Sequence, residues 1–300
     1  MPFAPRPSFD WRLRTRSFFL GQRTLVMGIL NVTPDSFSDG GHFYSPESAP
    51  ERALVQALQM LDDGAHLLDV GGESTRPRAI PLSAEEEQAR ILPVIESILK
   101  EKPEAVLSVD TYHATTAALA VAAGAEIVND VSGHLWDTAM SITCARLGCG
   151  TVLMHTRGVP QDWPNLPPLA PDDVIPIVLS GLIKRVETAI AAGILRNKIV
   201  LDPGFGFGKR LGENYPLLAR LDQLQQLNLP ILAGVSRKGF LAQALAPLYE
   251  EALPPPESRL HATTAANVTA ILAGAHIVRT HDVRPAVEAA AIADRILAAR

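Results

Sequence analysis

The chain has 300 residues, 47% hydrophobic and 20% charged, a composition that suits a globular protein and excludes wholesale disorder. Lys and Arg number 27 against 32 Asp and Glu; a net charge of −5 implies no broad basic face and argues against nucleic acid as the main partner. The start carries no basic segment leading into a long apolar stretch, and the apolar windows elsewhere are short and interrupted, so a cytoplasmic protein without membrane contact is expected.

Residues 9–20 fit neither the helical nor the strand period and are expected as a small hairpin, part of an extension over about 1–22 ahead of a fold that starts near 24. LVMGIL (25–30) is the first of eight short apolar runs, and the polar loop NVTPDSFSDGG (31–41) follows it. Over 51–63, Leu54, Ala57, Leu58 and Leu61 fall on one helical stripe, and Gly64 marks its stop. The second run, HLLDV (66–70), leads into the loop GGESTRPRAIPLS (71–83). Ser83 with Glu86 then forms a capping-box pattern for a helix ending near Lys100. The remaining runs are AVLSV (105–109), EIVND (126–130), TVLMH (151–155), KIVLD (198–202), PILAGV (230–235) and HIVRT (276–280). Nearly continuous apolar runs are the mark of buried parallel strands. Cys144 and Cys149 are too few for a disulfide framework and read as reduced core residues. Two proline-rich stretches, 156–171 and 247–256, sit where strand-to-helix connections are expected.

Eight strands alternating with helices predict a single-domain α/β protein, a (β/α)₈ TIM barrel over residues 1–300. The alternative is a doubly wound open sheet, which usually has fewer strands and a glycine-rich first turn.

Polar residues cluster where the runs end. The first closes on Asn31, the second on Asp69, the third on Asp110, and the fourth on Asn129 and Asp130. His155, Asp202, Ser236-Arg237-Lys238, and Arg279 with His281 close the other four. In a barrel these ends converge on one mouth, where such enzymes place their chemistry. A helix cap is the plain alternative for any one aspartate, and it suffices for Asp69. It does not account for the whole set.

Asp110, Asn129 and Asp202 suit a flat heterocycle with a donor-rich edge, such as an aminopyrimidinone. Asn31, Arg76, Lys238, Arg279 and His281 suit phosphate or diphosphate oxygens, and the Asn31 amide oxygen suits Mg²⁺. The plain alternatives are an ion pair of Arg279 and His281 with Asp282, and a solvated helix start at Lys238. DPGFGFGKR (202–210) superficially suggests a P-loop, but Pro203 and Arg210 break that motif and the dinucleotide spacing is absent.

Taken together, MGILNVTPDSFSDGG (27–41), DVGGESTRP (69–77), SVDT (108–111), IVNDVSG (127–133), LMH (153–155), LDPGFGFGK (201–209), GVSRKGF (234–240) and RTHDV (279–283) resemble the dihydropteroate synthase family. The resemblance implies a barrel and a homodimer. It implies condensation of 6-hydroxymethyl-7,8-dihydropterin diphosphate with 4-aminobenzoate, with Mg²⁺ and by a dissociative path. On the matching positions, Asp110, Asn129, Asp202 and Lys238 would bind the pterin, with Arg279 stacked on it. Asn31, Arg76, Arg279 and His281 would hold the diphosphate, with Asn31 beside the metal. Thr75, Pro77, Phe207, Ser236 and Lys238 would shape the aminobenzoate pocket, and Asp35 would stabilise a cationic intermediate. Asp35, Lys238 and Arg279 are thus the expected catalytic residues. Arg78, His113 and Phe205 depart from the usual family pattern, as does the loop 156–168.

Two rival functions share the barrel. A corrinoid-dependent methyltransferase would share Asp110, Asn129 and Asp202 but has no need of Arg279 and His281. A pterin-binding paralogue without synthase activity would be favoured by broken first and second loops, and both are intact.

Overall fold

The structure is a computed structural model that describes residue 3 and residues 6–33, 49–73 and 81–299. It opens with the antiparallel hairpin β1 (Phe9–Arg12) and β2 (Ser17–Leu20), as expected for 9–20. Strand β3 (Leu25–Asn31) and helix α1 (Ala49–Asp62) begin the alternation, followed by β4 (Leu67–Gly71) and α2 (Ala84–Glu101). Ser83 caps α2 in the reciprocal box read from the sequence: its hydroxyl accepts the Glu86 N–H, and the Glu86 carboxylate accepts the Ser83 N–H.

Next come β5 (Leu107–Asp110), α3 (Ala114–Ala122), β6 (Ile127–Asp130), α4 (Met140–Leu147), β7 (Gly150–Met154) and α5 (Val174–Ala191). The last third holds β8 (Ile199–Asp202), α6 (Asn214–Ala219), β9 (Leu232–Ala233), α7 (Gly239–Leu245), α8 (Leu260–Leu272), β10 (Ile277–Thr280) and α9 (Val283–Ala298). The strands lie in the order β8-β7-β6-β5-β4-β3-β10-β9, with every ladder parallel. A parallel bridge between Leu201 and Ile231 closes the ring. The chain is a (β/α)₈ barrel. One expectation fails: 247–256 connects α7 to α8, not a strand to a helix. The seven-residue α7 is too short to show a period and hides in the loop between them.

The register sets which inward side chains share a level. Each strand of such a barrel is staggered by about one residue on its neighbour. Asp69 pairs with Ser108, and Ser108 with Ile127, so Asp69 on β4 is level with Asn129 on β6. The same step links Asn129 to Asp202 on β8, and Arg279 on β10 to Asp69. Asp69, Asn129, Asp202 and Arg279 therefore form one polar layer, drawn from alternate strands. Two residues lower, Leu67, Ile127, Val200 and Ile277 form its apolar counterpart. Trp11, Leu13 and Leu20 of the hairpin seal that end, with the Trp11 indole donating to the Lys198 carbonyl at 3.0 Å. The helices bury a second, larger core against the outside of the barrel, and Cys144 and Cys149 lie within it as free thiols. Among the described residues no helix is long and apolar enough to cross a membrane.

Candidate active site

The polar layer is tied together by one carboxylate. Asp69 is fully buried, and its Oδ2 accepts both Asn129 Nδ2 at 2.8 Å and Arg279 Nε at 2.6 Å. Arg279 Nη2 donates to Asp110 Oδ2 at 2.5 Å, one level nearer the mouth. Burial opposes the charge on Arg279, but the carboxylates of Asp69 and Asp110 outweigh it and hold the guanidinium firmly protonated. Burial pushes the Asp110 carboxyl up to about 7 against the pull of Arg279, with Asp69 and Glu87 adding repulsion.

Asp202 completes the floor. Its Oδ1 accepts the Gly204 N–H at 2.7 Å, and burial raises its carboxyl above the usual range. A Cβ on Gly234 would lie 3.7 Å from Asp202 Oδ2, so the bare backbone there keeps space beside the carboxylate. Lys238 starts α7, as the plain reading had it, and its half-buried side chain sets Nζ 4.2 Å from the centre of the Phe207 ring. Burial lowers its ammonium to about 8. Val131 and Met154 pack with Phe207 as an apolar wall, and Trp163 of the loop 156–168 meets Phe207 edge-on at 5.4 Å.

On the rim, Ser236 Oγ accepts the His281 N–H at 3.2 Å and lies 3.0 Å from His281 Nδ1. With the Ser236 hydroxyl donating to Nδ1, the neutral ring carries its proton on Nε2, a donor suited to an anion. The ion pair suggested for Arg279 and His281 is absent among the described residues, because Asp282 is bound bidentately by Arg237 at 2.6 and 3.0 Å. Asn31 ends β3 in register with Gly71, at the same mouth. Asn31, Asp110, Asn129, Asp202, Phe207, Ser236, Lys238, Arg279 and His281 are thus gathered at one end of the barrel. Asp35, Thr75, Arg76, Pro77 and Arg78 lie outside the described residues.

Residues 27–281 match the family described as pterin binding enzyme. The dihydropteroate synthase of Bacillus subtilis (strain 168) is 42% identical over 276 residues, covering 92% of this chain and 90% of that one. The structure of Yersinia pestis dihydropteroate synthase with a sulfonamide drug complex superposes with a TM-score of 0.85 at 40% identity, covering 96% of this chain and 98% of that one. Xanthomonas albilineans dihydropteroate synthase with 4-aminobenzoic acid gives 0.84 and 40%, over 98% and 99% of the two chains. The chain belongs to the dihydropteroate synthases. These are transferases of folate synthesis that make dihydropteroate.

Within that family frame, several residues differ from the reading of the sequence. Asp69 is no helix cap: it lies inside β4, far along the chain from the cap Ser83, and anchors the polar layer. Asp130 caps no helix either, since α4 starts at Met140 behind Ala139; it holds the turn after β6, accepting the Ser132 and His134 N–H groups at 2.7 and 3.0 Å. His155 follows the inward Met154 and therefore faces outward, where a Cβ on Gly181 of α5 would come within 2.4 Å of its ring. The lysine of the false P-loop, Lys209, is buried and donates to the carbonyls of Gly204, Phe207 and His155 at 2.7, 3.2 and 3.4 Å. It staples the loop that carries Phe207. Of the departures from family pattern, Phe205 stacks in the core on Phe240, and His113 lies 3.1 Å from Glu87. Glu73, Glu87 and His113 bring three metal-type ligands together, but Thr111, Tyr112 and one another already satisfy them.

Proposed function

We propose that this synthase joins 6-hydroxymethyl-7,8-dihydropterin diphosphate to 4-aminobenzoate in the cytoplasm, as a homodimer, by a dissociative path. The observation that carries the reading is the pairing, at one mouth, of hydrogen-bond acceptors (Asp110, Asn129, Asp202) with cationic and N–H donors (Lys238, Arg279, His281). Asp110, Asp202 and the Asn129 amide oxygen match the N–H edge of an aminopyrimidinone, and a charged acceptor opposite paired donors supplies orientation as well as energy. The apolar Phe207 wall and the bare Gly234 backbone adjoin these acceptors. Two Arg279 donors are engaged by Asp69 and Asp110, and its other N–H groups serve the diphosphate together with His281 Nε2.

In the dissociative path the bond from the pterin methylene to the diphosphate oxygen breaks first. The electron pair leaves with the diphosphate, and the 4-aminobenzoate nitrogen then attacks the methylene. Arg279 and His281 bind the charge that grows on the leaving group, which favours the transition state over the ground state. Asp202 and Asp110 stabilise positive charge on the ring. Asp35 and Arg76 would add to the two ends, and Thr75 and Pro77 to the aminobenzoate pocket formed with Phe207, Ser236 and Lys238. The Asn31 amide oxygen fits Mg²⁺ as a hard, neutral donor to an ion that keeps water and phosphate ligands. When bound, the ion would supply further charge neutralisation at the diphosphate. Ile292 and Ile296, one turn apart and exposed on α9, offer apolar surface for a dimer.

The test is incubation with the pterin diphosphate, labelled 4-aminobenzoate and Mg²⁺. Labelled dihydropteroate is expected. On this path the 4-aminobenzoate pocket is complete only with diphosphate bound, so tight binding of 4-aminobenzoate to the protein without diphosphate would overturn it.

A further inference from the structure

We infer that Asp69 is the positioning residue that decides which way the pterin floor faces. This rests on the functional reading above and adds a residue to it. A carboxylate can only accept, so the donor that Asn129 turns toward Asp69 must be its amide nitrogen, at 2.8 Å. The Asn129 carbonyl oxygen is thereby directed away from Asp69, as an acceptor. Without that carboxylate the two ends of the amide are nearly equivalent in shape, and the floor would present a donor as readily as an acceptor.

The same Oδ2 holds Arg279 Nε at 2.6 Å, while Asp110 holds Nη2. Two fixed points on one edge set the plane of the guanidinium and leave three of its five N–H groups on the other side. One oxygen thus orients both the acceptor under the ring and the donors toward the leaving group, from a fully buried position that no substrate reaches. The second oxygen of Asp69 is buried too and has no hydrogen-bond partner among the described residues. That makes Asp69→Asn an informative variant: its amide oxygen can take over both bonds at Oδ2, and its nitrogen replaces an oxygen that had none to lose.

The experiment is calorimetric titration with 6-hydroxymethylpterin, which lacks the diphosphate, after each variant is shown to be folded by near-ultraviolet circular dichroism. Asp69→Ala should weaken binding about 30-fold in the unmodified protein, but less than about fivefold in an Asn129→Ala background, since the amide it orients is gone. Asp69→Asn should restore affinity to within about fivefold of the unmodified protein, which a role resting on charge alone would not allow. Equal losses in both backgrounds, undiminished binding by Asp69→Ala, or no recovery in Asp69→Asn would each overturn the inference while leaving the functional reading standing. Failure of the unmodified protein to bind the pterin would remove the functional reading, and this inference with it.

Discussion

Replacing Asp202 by Asn exchanges one oxygen for an NH₂ group and reverses the hydrogen-bonding sense of the floor. The Gly204 N–H, 2.7 Å from Oδ1, needs an acceptor, so the amide oxygen must stay there. The NH₂ group then takes the place of Oδ2, beside Gly234 and facing the pocket. A pterin edge that donates would meet a donor. The charge-assisted bond lost contributes about 1.5–3 kcal/mol, and the donors left unpaired cost about 1–3 kcal/mol more. The sum is about 2.5–6 kcal/mol, roughly two to four orders of magnitude in affinity. Folding should not suffer. Burial raises the Asp202 carboxyl, so its charge disfavours the native state at neutral pH, and a neutral isostere relieves that cost. Calorimetry with a pterin-site ligand and thermal unfolding of the same sample separate the two effects. A variant that unfolds no earlier than the unmodified protein and binds within threefold of it would refute the reasoning.

Pterin affinity should fall below about pH 7, where the raised Asp110 carboxyl takes up a proton and ceases to be a charged acceptor; titrations between pH 6 and 8 should show this limb, and Asp110→Asn should abolish it. Arg279→Ala and His281→Ala should weaken the diphosphate substrate at least tenfold more than 6-hydroxymethylpterin, and equal losses for the two ligands would remove the diphosphate assignment. Trp11→Ala should destabilise the protein by about 3–5 kcal/mol in urea unfolding, since a fully packed indole and its bond to the Lys198 carbonyl are lost. Turnover per folded molecule should be unchanged, because Trp11 lies at the opposite end of the barrel from the site.

The strands were legible because a strand buried on both faces must be apolar throughout, and the mouth because polar residues are tolerated only where those runs end. Ser83 and Glu86 were legible because a capping box is local, its two members three residues apart. Asp69 was not. Its partner Arg279 is 210 residues away, and only the stagger of the closed barrel makes them neighbours. Read locally, an aspartate near the end of a run looks like the cap of the next helix. His155 shows the converse: its type suits a site, but strand alternation turns it outward behind Met154. Lys209 carried a misleading motif, and three carbonyls around a buried ammonium leave no trace in spacing. Asp35, Thr75 and Pro77 of the first and second loops were named from resemblance alone.

The hairpin that seals the barrel has a consequence for the order of assembly. Trp11, Leu13 and Leu20 rest on side chains from β3 through β10, and Arg6 reaches the Ala275 carbonyl and Asp294 in α9. These partners span nearly the full length of the chain, so the seat exists only when the last strand is in place. The hairpin, synthesised ahead of the barrel, must wait with its apolar residues exposed until the last strand arrives. Docking of the hairpin therefore reports completion of the barrel, and Trp11 fluorescence should change in the final folding phase, after the helical signal has risen.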